Sequence, residues 1–188
     1  MPLALALEVP PEVAGQIQPL RERYGHGPLL PPHLTLLYPF VPLVAESRVV
    51  TALGQALAEA GPIPVRLGEV RTLEPSRTIY LEVLDGGTLA RLYQALIEPL
   101  SGLIASDRPE YARFAAQGYL PHLTLADEVS TATYRRALGE LRGRRFDLSF
   151  TLARAILYRL NGHDWHPVAS FPLGGEGGPA AKHGRAEA

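Results

Sequence analysis

One pentapeptide occurs twice in this chain, as Pro32-His33-Leu34-Thr35-Leu36 and as Pro121-His122-Leu123-Thr124-Leu125. In each copy a polar histidine and threonine alternate with leucines, the pattern of a strand with one wet face and one apolar face. Residues two apart on a strand point to the same side, so each copy offers an imidazole and a hydroxyl to one space. The leucines anchor the opposite face in a core. A fold that brings the copies face to face surrounds one small ligand with two imidazoles and two hydroxyls.

The 188 residues suit one domain or two small lobes sharing a cleft. With 46% hydrophobic residues the chain is globular, and a net charge of −1 argues against a protein that coats nucleic acid along its length. There are no cysteines, which excludes disulfides, thiolate metal sites and a cysteine nucleophile, and fits a reducing cytoplasm. Met1 to Val9 is too short an apolar run for a membrane span and lacks the basic flank of a signal peptide. The expectation is a soluble, cytoplasmic monomer without a membrane partner. Of 18 basic residues only Lys182 is a lysine, so the cations are mostly guanidinium forks, which suit phosphate.

In order, Leu3 to Val9 reads as a strand, Glu12 to Arg23 as a helix behind Pro11, and Gly25 to Pro28 as a turn. Leu29 to Leu37 carries the first motif as a strand closed by Tyr38-Pro39-Phe40. A helix over Ala45 to Ala60 follows, then a hairpin of Ile63–Leu73 and Thr78–Leu84 turning at Glu74 to Arg77. Thr88 to Leu103 is an amphipathic helix, Ser106 to Gly118 an irregular stretch, and Tyr119 to Leu125 the second motif strand. Ser130 to Leu141 is a helix with Ser130 as N-cap. Phe146–Phe150 and Ala153–Leu160 read as one long or broken strand, and His166–Pro172 as a short edge strand. Helices mixed with hairpins point to α+β. Residues 1–173 are expected to form the folded unit, and 174–188 a flexible Gly-rich tail.

Two histidines suit acid–base chemistry on a phosphodiester. A neutral imidazole takes a proton from water or a hydroxyl, and an imidazolium protonates the leaving oxygen. The threonines donate to non-bridging phosphate oxygens as charge builds up. The scheme requires no metal and no cofactor. A single His-x-Thr on a strand is ordinarily a surface pair; a matched pair in similar settings is what carries the reading. No carboxylate stands at ligand spacing beside either histidine.

The paired His-Leu-Thr-Leu segments resemble the His-x-Thr/Ser-x pair of the two-histidine phosphoesterase superfamily, which includes bacterial 2′-5′ RNA ligases and RNA 2′,3′-cyclic phosphodiesterases. The opening strand into Pro-Pro-Glu, Tyr38-Pro39-Phe40 and the Arg-Thr-Ile-Tyr-Leu-Glu-Val segment at 77–83 are similar too. The resemblance implies two pseudo-symmetric lobes of mainly antiparallel sheet with outer helices, the motif strands lining a central cleft. It implies His33 as proton donor, His122 as proton acceptor, and Thr35 and Thr124 as phosphate ligands. The implied partner is a small cyclic phosphate or an RNA terminus, cleaved to a 2′-phosphate. Alternatives are reversible 2′-5′ RNA ligation and a non-catalytic RNA- or nucleotide-binding module. In one respect the chain departs: the ligase branch leads one to expect a basic residue soon after the second motif, and Ala126-Asp127-Glu128 follows here.

Tyr38, Arg108, Arg113 and Tyr119 are further candidates for touching substrate, Tyr119 (with Tyr111 and Phe114) by stacking on a base and the arginines by reaching phosphate. Set against this are a local aromatic mini-core and solvated loop charges. Arg135, Arg136, Arg142, Arg144 and Arg145 form a basic run that suits an RNA strand or simply a wet helix face. His163-Asp164-Trp165-His166 has a chelating spacing but lies in a turn without a third ligand.

Overall fold

The computed structural model describes residues 1–24, 30–74, 76–107 and 118–174. Among these the chain forms β1 (Leu3–Glu8), α1 (Pro11–Arg23), β2 (His33–Pro42), α2 (Glu46–Ala58), β3 (Ile63–Leu73), β4 (Thr78–Leu84), α3 (Thr88–Leu100), β5 (Ile104–Ser106), β6 (His122–Ala126), α4 (Thr131–Leu141), β7 (Ser149–Leu152), β8 (Arg154–Asn161) and β9 (Asp164–Pro172). The strands make two antiparallel sheets, one ordered β5-β2-β1-β8-β9 and the other β6-β4-β3-β7. The class is α+β, as the mixture of helices and hairpins implies.

Alternation builds the core. Leu3, Leu5 and Leu7 are fully buried, and so are Leu34 and Leu36 of the first motif and Leu123 and Leu125 of the second. Each such leucine contributes about 1.5–3 kcal/mol by leaving water. The helices add apolar faces spaced by three or four residues: Val49, Leu53 and Leu57 on α2, and Leu89, Leu92, Leu96 and Leu100 on α3. At the starts of α3 and α4 side chains meet the exposed backbone donors. The Asp85 carboxylate accepts from the N–H of Leu89, and Ser130 Oγ accepts from Thr133 N at 3.1 Å, the cap expected there. The C-terminal end of α1 reaches α4, where Tyr24 donates to Glu140 at 3.1 Å and Arg23 pairs with it at 2.5 Å.

Several boundaries differ from the sequence reading or sharpen it. β2 begins later, at His33, and runs through Tyr38-Pro39-Phe40 instead of closing there. It does so over a bulge: Leu5 pairs with Leu37 but Leu3 pairs with Phe40, so the proline sits where the ladder is already interrupted. α3 stops at Leu100, where Ser101 leaves the helical region at ψ 126° and Gly102 takes φ 73°, and Ile104–Ser106, just past the expected end of the helix, makes β5 on the edge of β2. The final strand, read as long or broken, is broken at Ala153, with β7 joining one sheet and β8 the other. β9 starts at Asp164, not His166, after the two-residue turn Gly162-His163. Gly162 adopts φ 65° at the first turn position, as type II′ hairpins require. The expected turn at 25–28 and the tail from 175 lie outside the described residues.

Candidate active site

β2 of one sheet and β6 of the other border a cleft of about 220 Å³. His33, Thr35 and Tyr38 line it from β2, and His122 and Thr124 from β6. The alternation that buries the motif leucines is what turns the histidines and threonines the other way, and the bulged register past Leu36 is what lets Tyr38 join them. Ala4 and Ala6 of β1 also line the cleft; their methyl groups leave room where the flanking leucines of β1 would fill it.

The two histidines have the same local geometry. His33 Nδ1 lies 2.8 Å from the carbonyl of Pro31, and His122 Nδ1 lies 2.8 Å from the carbonyl of Leu120. A carbonyl oxygen only accepts, so Nδ1–H is the donor in both rings and the proton chemistry of the neutral tautomer falls to Nε2. Each histidine also faces a glutamate across its ladder, Glu8 opposite His33 and Glu82 opposite His122. Each glutamate in turn has an arginine at 3.8 Å, Arg154 for Glu8 and Arg71 for Glu82.

The surroundings differ on the second side. The Tyr80 ring meets the His122 ring edge-on at 5.5 Å and 69°. Burial pushes the His122 imidazole below its ordinary 6.5, with the Leu120 carbonyl and the Asp127 carboxylate pulling the opposite way. Asp127 lines the cleft and accepts from Thr78 Oγ1 at 2.6 Å, while Ser76 and Thr78 hydroxyls lie 2.8 Å apart. The acidic departure after the second motif thus stands in the cleft wall.

Tyr119 ties the motifs together from behind. Its hydroxyl donates to the Thr35 carbonyl at 2.9 Å and its ring stacks on Tyr93 at 5.1 Å. Arg108 and Arg113, with Tyr111 and Phe114, lie outside the described residues. In the basic run, Arg136 donates to the Arg23 carbonyl, Arg145 pairs with Glu69 at 3.4 Å and Arg144 lies over Phe146. Among the described residues no group of three or more His, Cys, Asp or Glu is placed to hold a metal ion. Of the segment His163–His166, read as a turn, His163 lies in the turn while Asp164, Trp165 and His166 begin β9, and Trp165 reaches the cleft.

Sequence reasoning passed over Arg21, Ser76, Thr78 and Trp165, all of which line the cleft. For Arg21 a signal existed: it continues the buried row Val13, Ile17 along α1, where an apolar residue is expected. Thr78 and Trp165 carry no comparable mark, because a strand threonine and a hairpin tryptophan have ordinary structural uses.

Two antiparallel sheets presenting twin His-x-Thr strands to one cleft are the architecture of a two-histidine phosphoesterase fold. Residues 9–164 match the model of the 2′-5′ RNA ligase superfamily, and the chain belongs to that family. A protein of Geobacillus sp. (strain WCH70) with a provisional phosphoesterase name is 33% identical over 83% of this chain and 87% of its own. One of Bacillus pumilus (strain SAFR-032), similarly named, is 33% identical over 84% of this chain and 88% of its own. Among solved structures, E. coli LigT complexed with 3′-AMP has a TM-score of 0.65 at 21% identity, covering 92% of this chain and 99% of that one. TT0787 of Thermus thermophilus has a TM-score of 0.62 at 21% identity, covering 94% and 100%.

Proposed function

We propose that this protein is a metal-independent phosphodiesterase that hydrolyses 2′,3′-cyclic phosphates, at RNA ends or on nucleotides, to 2′-phosphates. The observation that carries the reading is the pair of imidazoles on one cleft, each with Nδ1–H committed to a backbone carbonyl. In the proposed reaction His122 Nε2 takes a proton from water as its oxygen attacks phosphorus. His33, as imidazolium, gives its Nε2 proton to the departing 3′-oxygen, and the P–O3′ bond breaks. The depressed basicity of His122 supports its role as the ring that is neutral before attack. Thr35 and Thr124 hydroxyls donate to the non-bridging oxygens, whose charge rises in the transition state.

The nucleotide found with LigT (3′-AMP) supports a nucleotide-sized ligand in a cleft of this kind. Ligation of 2′-5′ RNA ends would use the same groups in reverse; Asp127, where a basic residue was expected, weighs toward the smaller substrate. The test is incubation with 2′,3′-cyclic AMP in the presence of a chelator, with products resolved by phosphorus NMR. Adenosine 2′-phosphate as the sole product is expected. A 3′-phosphate, or no turnover, rejects the proposal.

A further inference from the structure

Arg21 is the one lysine or arginine bordering the cleft among the described residues, and it is only 2% exposed. Its Nη1 donates to the Leu30 carbonyl at 2.9 Å and reaches Gln18 Oε1 at 3.4 Å. Among the described residues its buried Nε–H has no acceptor. The carboxylates that form ion pairs among the described residues are taken by other arginines, and the cleft's own Asp127 receives its bonds from Thr78 Oγ1 and the Glu128 N–H. Buried cations are ordinarily paired, because burial without a counter-charge is unfavourable. Here burial alone draws the guanidinium from 12.5 down to about 10.

The twin motifs bring two hydroxyls and two imidazoles to the cleft but no permanent positive charge. A guanidinium keeps its charge at neutral pH and presents a planar fork that matches phosphoryl oxygens. We propose that Arg21 is the anion anchor of the cleft, and that a phosphoryl oxygen of the bound ligand supplies the counter-charge this buried guanidinium lacks. The nature of the ligand rests on the phosphoesterase reading above. The opposing account makes Arg21 a brace that holds Leu30, three residues before His33, and touches no ligand.

Inorganic phosphate is the probe that separates the two. Titrated calorimetrically into the full chain, it should bind the wild type, bind R21M about tenfold or more weakly, and recover part of its affinity in R21K. A folded R21M chain that binds phosphate within about twofold of wild type overturns the proposal, and so does a wild type that binds none. Should R21M fail to fold, the wild-type Arg21 Nε–H resonance decides, assigned by its loss in R21K. A shift on phosphate addition supports the anchor, and a resonance unmoved at saturation overturns it. Failure of the chain to open 2′,3′-cyclic AMP would remove the hydrolytic reading while leaving an Arg21-dependent phosphate site standing.

Discussion

His122 Nδ1 lies 2.8 Å from the carbonyl oxygen of Leu120, and the distance recurs on the other sheet between His33 and Pro31. The Pro-His junction that precedes each motif strand turns a carbonyl back onto its own imidazole, so the ring's tautomer is decided by local backbone and not by a distant partner. Two rings prepared alike on one cleft are suited to opposite proton transfers, the difference between them coming from their surroundings.

Each ring should therefore be indispensable by itself. His33→Ala and His122→Ala are each expected to reduce kcat for 2′,3′-cyclic AMP by about 10²–10⁴ while leaving the unfolding midpoint close to wild type. Steady-state kinetics alongside thermal melts check this; either variant retaining most of its turnover would remove acid–base catalysis by that ring.

The threonines should act on the transition state more than on binding. Thr124→Val is expected to lower kcat by about 10²-fold with a smaller change in KM, as loss of a charge-stabilising donor does. A change confined to KM would assign Thr124 to ground-state binding alone.

The pH profile has a sign that can be worked out. His122 must be neutral to accept a proton, and its imidazole sits below 6.5, so the acidic limb of kcat/KM should fall below that value. Asp127 raises His122, so Asp127→Asn should move the limb to still lower pH. A limb that stays in place or moves upward contradicts this electrostatic reading of the cleft wall.

Tyr119 offers a structural test. Its hydroxyl meets the Thr35 carbonyl at 2.9 Å, so Tyr119→Phe should cost about 1 kcal/mol in urea unfolding. An unchanged midpoint would mean that water replaces the hydroxyl without loss.

Much of this was legible in the residues. The alternation in both motifs announces strands with His and Thr on one face, and Leu34, Leu36, Leu123 and Leu125 are fully buried behind them. The hairpin of β3 and β4 falls at the bounds its breakers mark. What local pattern does not carry is partnership between distant segments. Nothing near Ala153 tells β7 and β8 to enter different sheets, since that choice depends on which edge is open after the other strands have paired. Ile104 to Ser106 is too short to show a period and becomes a strand only because β2 extends past its expected end. Arg21 was hidden for a related reason: a charge on a helix reads as solvent-facing until the row it shares with Val13 and Ile17 is seen to be buried.

The central claim is that His33 and His122 work on a single phosphorus. Single-turnover opening of 2′,3′-cyclic AMP by H33A, H122A and the double variant tests it most directly. Groups acting as a unit are non-additive, so the double variant should be about as slow as the slower single one. Losses that multiply, leaving the double variant slower by the product of the two, would contradict it.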